Sequence, residues 1–340
     1  MMPEVEPPPR PAFFSDEDYE ASLRDAVFWE PYARAALRRA GLPDGGDVVT
    51  HFPTTHVTAL IGSRYLVKLH YDEWFGEECF QTERAFYAVT RGCDLPIPDL
   101  IAEGALYEDD GWRWPFLIMS AMLGADVRSI GDAIDSGSIQ RIASFAGSTM
   151  RRLHDLPVVE REPLAHSTYA HLIRDRMAKS EQDHLAWRSL PERLAAQIRD
   201  YVWERREFVD PDGSPRRLIH GDLHGGNVFV VETADGWYPT GIVDFNDAMI
   251  GDPRYDLVSL HLKAFRANKS LLRTALDAYG WEATRTDWPD WMMAFTLVHD
   301  YDMIEPIVST YPGVLDDAGS LDAVANLLWN LDALGPGEIR

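Results

Sequence analysis

Cysteine is nearly missing from this chain: Cys79 and Cys93 are the only two among 340 residues. Two thiols cannot build a disulfide scaffold or a four-thiolate zinc site. The simplest expectation is a pair of reduced core thiols in a cytoplasmic protein. Basic residues are also scarce, 32 Lys and Arg against 55 Asp and Glu, for a formal net charge of −23. Such a surface excludes nucleic acid and anionic membrane as partners, since both are held chiefly through Lys and Arg on phosphate. It favours cationic partners, although part of the acidity simply keeps the surface solvated. Long apolar runs are lacking too. The longest, Trp114 to Leu123, is interrupted by Pro115 and Ser120 and reaches roughly half of the ~20 residues a membrane helix needs. The opening MMPEVEPPPRPAFF has acids and prolines but no apolar h-region, so no secretory signal is read there. No internal repeat is visible.

What is present has ordinary globular composition, 46% hydrophobic and 26% charged, and a length that suggests about two domains. Residues 1–14 read as a flexible, proline-rich arm. Apolar residues recur at helical spacing from Asp16 to Ala40, with a break expected at Pro31. Short β-rich runs follow at Val48–Thr50, Val57–Ile61, Tyr65–Leu69, Asp99–Ala105 and Trp112–Ser120, with a helix predicted over Glu77–Thr90. Residues 15–120 therefore predict an antiparallel sheet with one inserted helix. Residues 121–340 are mainly helical, with predicted helices at Ser138–His154, His166–Trp187, Glu192–Phe208, Tyr255–Phe265, Ser270–Tyr279, Pro289–Ile307 and Ser320–Trp329. Short β stretches interrupt them around Arg217–Ile219, Asn227–Glu232 and Gly241–Val243. The fold class expected is α+β and bilobal, a small β-rich lobe followed by a larger helical one.

The chemistry concentrates in His220-Gly221-Asp222-Leu223-His224-Gly225-Gly226-Asn227. Protein kinases use H-R-D-L-x-x-x-N, in which the Asp orients the acceptor hydroxyl and the Asn holds a metal ion. Asp222 and Asn227 keep that spacing. Seventeen residues later an apolar strand, Gly241-Ile242-Val243, delivers Asp244-Phe245-Asn246, similar to the kinase Asp-Phe-Gly metal site with asparagine in place of glycine. Phosphoryl transfer needs hard oxygen ligands for Mg²⁺, which Asn227 and Asp244 supply, and a carboxylate at the attacking hydroxyl, Asp222. Turn and cap roles account for lone aspartates of this kind. A transition-metal site on His220, His224 and Asp222, or a hydrolase metal site on His220, His224 and Asp244, is a further alternative, although an i, i+4 histidine pair suits a helix and Gly221, Gly225 and Gly226 argue for a loop.

Upstream, Tyr65-Leu66-Val67-Lys68-Leu69 sets a lysine in an apolar strand, and buried lysine requires a partner. Glu83 on the next helix is the natural one, with Glu77 and Glu78 as rivals. Kinases use such a pair to orient the nucleotide phosphates.

With these motifs in hand, the chain resembles the aminoglycoside phosphotransferases, a family of kinase-like fold. Within it the likeness is to the hygromycin B 7″-O-phosphotransferase group. The resemblance runs from about Tyr19 to Trp329. It is carried by the two loop motifs, by Ala21-Ser22-Leu23-Arg24, Phe28-Trp29-Glu30-Pro31 and Leu260-His261-Leu262-Lys263-Ala264-Phe265-Arg266, and by Ala294-Phe295-Thr296-Leu297-Val298-His299-Asp300. It implies a kinase that uses ATP or GTP with Mg²⁺ to phosphorylate a hydroxyl of a small cationic antibiotic. Asp222 would be catalytic, Asn227 and Asp244 would be metal ligands, and Lys68 with Glu83 would serve the α/β-phosphates. The hinge segment, from Met119 through Ser120 and Ala121 to Met122, would offer backbone groups to adenine, and Leu153-His154 would be structural. The phosphate-covering turn, Phe52-Pro53-Thr54-Thr55-His56, lacks glycine, so the Thr54 and Thr55 hydroxyls are the expected donors. The rivals are a kinase of this architecture acting on another metabolite, a non-catalytic nucleotide- or antibiotic-binding protein, and a metal-dependent hydrolase.

The acceptor side rests on charge. From Trp281 onward there are eleven acids and only Arg285 and Arg340. Asp300, Asp302 and Glu305, expected to share a helical face, and Asp247 are the candidate contacts for ammonium groups. Trp281, Trp288 and Trp291 read better as core than as a platform for sugar rings.

Overall fold

The computed structural model of the chain describes residues 7–51, 54–71, 74–109, 112–281 and 286–337. It divides into two compact units, Met1–Met122 with Asp244–Asn246, and Leu123–Val243 with Asp247–Arg340.

The first unit opens with two capped helices. Ser15 caps α1 (Asp16–Ser22) and Asp25 caps α2 (Ala26–Arg39), each side chain accepting a first-turn backbone N–H. The break therefore falls before Asp25 and not at Pro31, which lies inside α2. Pro31 is tolerated there because it sits on the exposed side beside Val27, where water can serve the carbonyl that its missing N–H leaves free. Five antiparallel strands follow: β1 (Val48–Thr50), β2 (Val57–Ile61), β3 (Tyr65–Leu69), β4 (Leu100–Asp109) and β5 (Trp112–Ser120), in the order β1-β2-β3-β5-β4. Helix α3 (Gly76–Thr90) is inserted between β3 and β4. Tyr19, Trp29, Val67, Trp114 and Phe116 belong to one buried cluster that seals α1 and α2 onto the sheet. The arm is not free along its described length. Phe13 meets Tyr19 and Tyr71 edge-on at 5.3 and 5.4 Å, Pro11 is buried, and the Pro8 and Pro9 carbonyls accept from the Tyr107 and Tyr32 hydroxyls.

The second unit begins with β6 (Ala125–Asp126), α4 (Val127–Ile130), α5 (Ser136–His154), α6 (His166–Trp187), α7 (Glu192–Ala195) and α8 (Ile198–Glu204). Strands β7 (Arg217–Ile219), β8 (Val228–Thr233), β9 (Gly236–Ile242) and β10 (Met249–Gly251) come next. They form a β6-β8-β9 sheet and a β7–β10 ribbon. The unit closes with α9 (Arg254–Ser259), α10 (Lys269–Tyr279), α11 (Trp288–Leu297), α12 (Glu305–Thr310) and α13 (Leu321–Trp329).

Three segments expected as single helices are interrupted. Glu192–Phe208 splits into α7, α8 and a 3₁₀ turn, and Tyr255–Phe265 changes after α9 into a wide π turn, Leu260–Ala264. Pro289–Ile307 breaks because side chains capture its backbone: His299 Nδ1 accepts from Tyr301 N, and Asp302 Oδ1 accepts from Ile304 N and Glu305 N. Such local bonds compete with helix propagation. No described helix is long and apolar enough to cross a membrane. Cys79 and Cys93 are half-buried, so neither is a core thiol.

Candidate active site

In the first unit β3 presents Lys68 inward, 6% exposed, with Thr58 and Leu117 as its cross-strand neighbours. Its ammonium meets three oxygens at once: Glu83 Oε2 at 2.9 Å, Asp244 Oδ1 at 2.8 Å and Asn246 Oδ1 at 2.9 Å. The contacts to Asp244 and Asn246 are hydrogen bonds, and the Glu83 contact is an ion pair. Glu83, itself 1% exposed, is the helical partner, whereas Glu77 turns to Arg113. Burial alone would lower the Lys68 pKa, but the Asp244 and Glu83 carboxylates outweigh it and hold it above the ordinary value. For Glu83 burial pushes up, and the Lys68 charge together with the His70 hydrogen bond and charge reverses it, leaving the net shift downward.

Phe245 explains how residues 244–246 come to this cluster. It is buried and stacked on Phe86 of α3, centroids 3.8 Å apart and planes 8° from parallel. Asp244 adopts a left-handed backbone, φ 70°, a conformation aspartate tolerates better than most residues and one that clusters at functional sites.

Other residues expected at the nucleotide are tied to the fold. Thr54 Oγ1 donates to the His56 carbonyl at 2.7 Å, and the Thr55 carbonyl accepts from Tyr19. Thr54 thus braces its own turn; Phe52 and Pro53 lie outside the described residues. Ser120 donates its N–H to Asp99 O, its hydroxyl accepts from Asp99 N, and Ala121 N donates to Arg64 O. The Ser120 and Ala121 N–H groups are therefore engaged within the fold, and the half-buried Met122 keeps its place as a candidate for the adenine edge.

In the second unit the loop Gly221–Asn227 is suspended from Asp256, which is fully buried. Asp256 accepts the backbone N–H groups of His220 and Gly221 at 2.9 and 2.8 Å, and a His154 ring nitrogen lies 3.0 Å away. Burial would raise the Asp256 pKa; the hydrogen bond and charge of His154 bring it below the ordinary value. His220 Nε2 lies 3.1 Å from the Val243 carbonyl, so it carries the proton, and Nδ1 accepts from Asp222 N. His220 is thus a loop strut. Gly221 has φ 89°, and a Cβ there would lie 2.1 Å from the Asp247 carbonyl, so the turn admits only glycine. Asn227 Nδ2 donates to the Asp222 carbonyl at 3.0 Å, which leaves its amide oxygen as the acceptor-type atom. Among the described residues no group of three or more His, Cys, Asp and Glu side chains could hold a metal ion.

Asp222 itself is 9% exposed. Lys263 bonds both of its carboxylate oxygens, at 2.7 and 2.9 Å. Among the proposed acceptor acids, Asp247 accepts from the Tyr301 hydroxyl at 3.1 Å. The Asp300 pKa is raised by desolvation and by Asp175, Asp183 and Asp222, against the opposing charge of Arg176. Asp302 is committed to the Ile304 and Glu305 N–H groups and as acceptor from Ser189, and Glu305 opens α12. Asp300 and Asp302 precede α12, so the three acids do not share one helical face. Trp288 is buried, and Trp291 lies under the Arg254 guanidinium at 4.1 Å, both as packing.

Lys263, Asn246 and Asp256 were missed in the sequence. For Lys263 and Asp256 the signal was available, a charge inside an apolar run, the same criterion that selected Lys68.

A phosphotransferase family profile matches residues 50–292, more than two-thirds of the chain. The chain belongs to the phosphotransferase enzyme family. Solved structures share the fold. The GDP complex of aminoglycoside 2′-phosphotransferase-IIIa superposes with a TM-score of 0.59 at 20% identity, over 89% of this chain and 99% of that one. A GDP and kanamycin complex of an APH(2″) enzyme gives 0.55 at 22% identity, over 79% and 86%. A curated protein of Arabidopsis thaliana named lysine-specific demethylase JMJ21 is 27% identical over 202 residues, 49% of this chain and 21% of that protein. The chain spans about a fifth of that relative's length.

Proposed function

We propose that this phosphotransferase moves the γ-phosphoryl group of ATP or GTP onto a hydroxyl of an aminoglycoside-type antibiotic, hygromycin B foremost, and so confers resistance in the cytoplasm. The observation that carries the reading is that one chain holds both an Asp222–Asn227 loop braced by its own hydrogen bond and a Lys68 ammonium held by Glu83 and Asp244. Asp222 accepts a hydrogen bond from the attacking hydroxyl and orients it; its proton leaves late, as suits a loose transition state. Lys68, already flanked by acids, exchanges part of that contact for nucleotide phosphate. Asp244 and the Asn227 amide oxygen are hard donors that suit Mg²⁺, which when bound neutralises charge on the phosphates. On the acceptor side Asp247 and Asp300 remain the carboxylates available to ammonium groups. Solved relatives of this fold carry GDP and, in one case, kanamycin, which supports nucleotide and aminoglycoside as the substrate classes.

The test is a panel of hygromycin B, kanamycin, streptomycin and uncharged sugar alcohols, each incubated with γ-labelled ATP or GTP. Label should move to a cationic aminoglycoside and most readily to hygromycin B. Transfer only to uncharged alcohols would move the protein to another metabolite kinase of this fold. Nucleotide binding without transfer to any acceptor would make it a binder.

A further inference from the structure

Lys263 makes the closest ionic contact in the Asp222 loop, yet no motif announces it. Both Asp222 oxygens lie on its ammonium, and the Tyr301 ring centroid is 4.9 Å from that nitrogen. The side chains are 23% and 12% exposed. Apart from His224, whose Nε2 is 3.6 Å from Oδ2, no other side chain within ion-pair distance of the carboxylate is seen among the described residues.

The backbone that delivers Lys263 departs from the regular helix. After α9 the chain widens, with Phe265 N bonded to Leu260 O and Ala267 N to His261 O, both at 3.0 Å. Single π turns of this kind concentrate at functional sites. Leu260, His261 and Leu262 are buried, His261 through a 2.9 Å contact to the Leu328 carbonyl. The turn is thus anchored on three sides, and its fourth residue faces Asp222.

We propose that Lys263 is the positioning residue of the acceptor-side carboxylate. A carboxylate offers about four lone-pair sites. One ammonium bonded to both oxygens takes one site on each, stops rotation about the Cβ–Cγ bond and balances the buried charge. The remaining lone pairs then have a fixed direction for an incoming hydroxyl. Misplacement of a reacting group by about 1 Å can lower turnover ~100-fold. This inference rests on the reading of Asp222 as the group that orients the acceptor.

The experiment uses the full chain, wild type, Lys263→Met, Lys263→Arg, Asp222→Asn and the Lys263→Met/Asp222→Asn double variant, with MgATP and hygromycin B. Lys263→Met keeps the length and removes the charge. Its kcat should fall about 100-fold while the KM for ATP stays within about twofold, and Lys263→Arg should recover at least about tenfold of the loss. The double variant should be no slower than Asp222→Asn within about threefold, because both changes act through one carboxylate. A Lys263→Met kcat within about threefold of wild type would overturn the proposal, as would losses that multiply in the double variant. A lysine that merely stabilises the fold would lower the Tm and leave kcat per folded molecule unchanged, the same overturning result. If wild type transfers nothing to hygromycin B, the substrate reading fails by itself. The acceptor-free hydrolysis of γ-labelled ATP then reads the same variants with water as acceptor, and the same non-additivity supports the role of Lys263. A wild type that hydrolyses no ATP either overturns both.

Discussion

At the residue scale the first unit keeps a buried histidine pair beside its ion cluster. His56 and His70 are fully buried with ring centroids 5.2 Å apart, and both His56 ring nitrogens lack a hydrogen-bond partner. Burial lowers the His56 pKa far below its ordinary 6.5, and the nearby His70 and Lys68 lower it further, with Asp244 opposing; His70 is lowered by burial against Glu83. The sign follows from linkage. Below pH 6.5 the unfolded chain takes up protons that the folded chain refuses, so stability falls as pH drops from about 6.5. His56→Leu should hold its Tm at pH 7, or gain about 1 kcal/mol by removing unpaired polar atoms, and should flatten the Tm decline between pH 6.5 and 5. Thermal melts across that range decide the matter; a decline as steep as in wild type would acquit His56. These histidines could not be recognised in the sequence, because nothing in His56 or His70 as letters distinguishes a buried ring from a surface one. Lys68 could, because its strand is apolar on both sides.

At the element scale, strands and capped helices were largely legible, and the interrupted helices were not. Periodicity reported the apolar face of Pro289–Ile307 correctly but could not register that Asp302 would capture two backbone N–H groups. Lys263 stood out as a charge in an apolar run, but periodicity could not say that a π turn would aim it at the Asp222 loop, since such a turn keeps a helical-looking pattern. Helix–helix contact is set by particular small residues. Gly147 of α5 lies so close to α10 that a Cβ would come within 2.0 Å of the Ala275 carbonyl, a backbone atom that cannot swing aside. Gly147→Ala should therefore push the helices apart and destabilise by about 1–3 kcal/mol, the usual range for overpacking. Urea denaturation should show a lower midpoint at unchanged slope; an unchanged midpoint would mean that the contact relaxes at no cost. His154, near the end of α5, belongs to the Asp256 support of the loop, so turnover should suffer along with stability.

For the whole molecule, the acidity that opened the sequence reading has two uses. Part of it is internal: Asp256 suspends the Gly221–Asn227 loop, Glu83 and Asp244 hold Lys68, Asp25 caps a helix, and Asp302 holds two backbone N–H groups ahead of α12. The chain as a whole carries a net −23, which would raise the local concentration of the polycationic acceptor proposed above. The order of motifs was readable because phosphoryl transfer demands few residue types at fixed spacings. The acceptor was not readable, because ammonium recognition accepts carboxylates in many arrangements. The central claim is that Asp222 orients an alcohol for attack on a nucleotide phosphate. The most direct measurement follows MgATP and hygromycin B by phosphorus NMR with wild type and with Asp222→Ala. Wild type should produce a new phosphomonoester resonance, and Asp222→Ala should produce it at least about 100-fold more slowly, within the range for loss of a positioned acid–base group, with ATP affinity retained. Equal rates in the two proteins, or inorganic phosphate as the sole product in both, would contradict the account.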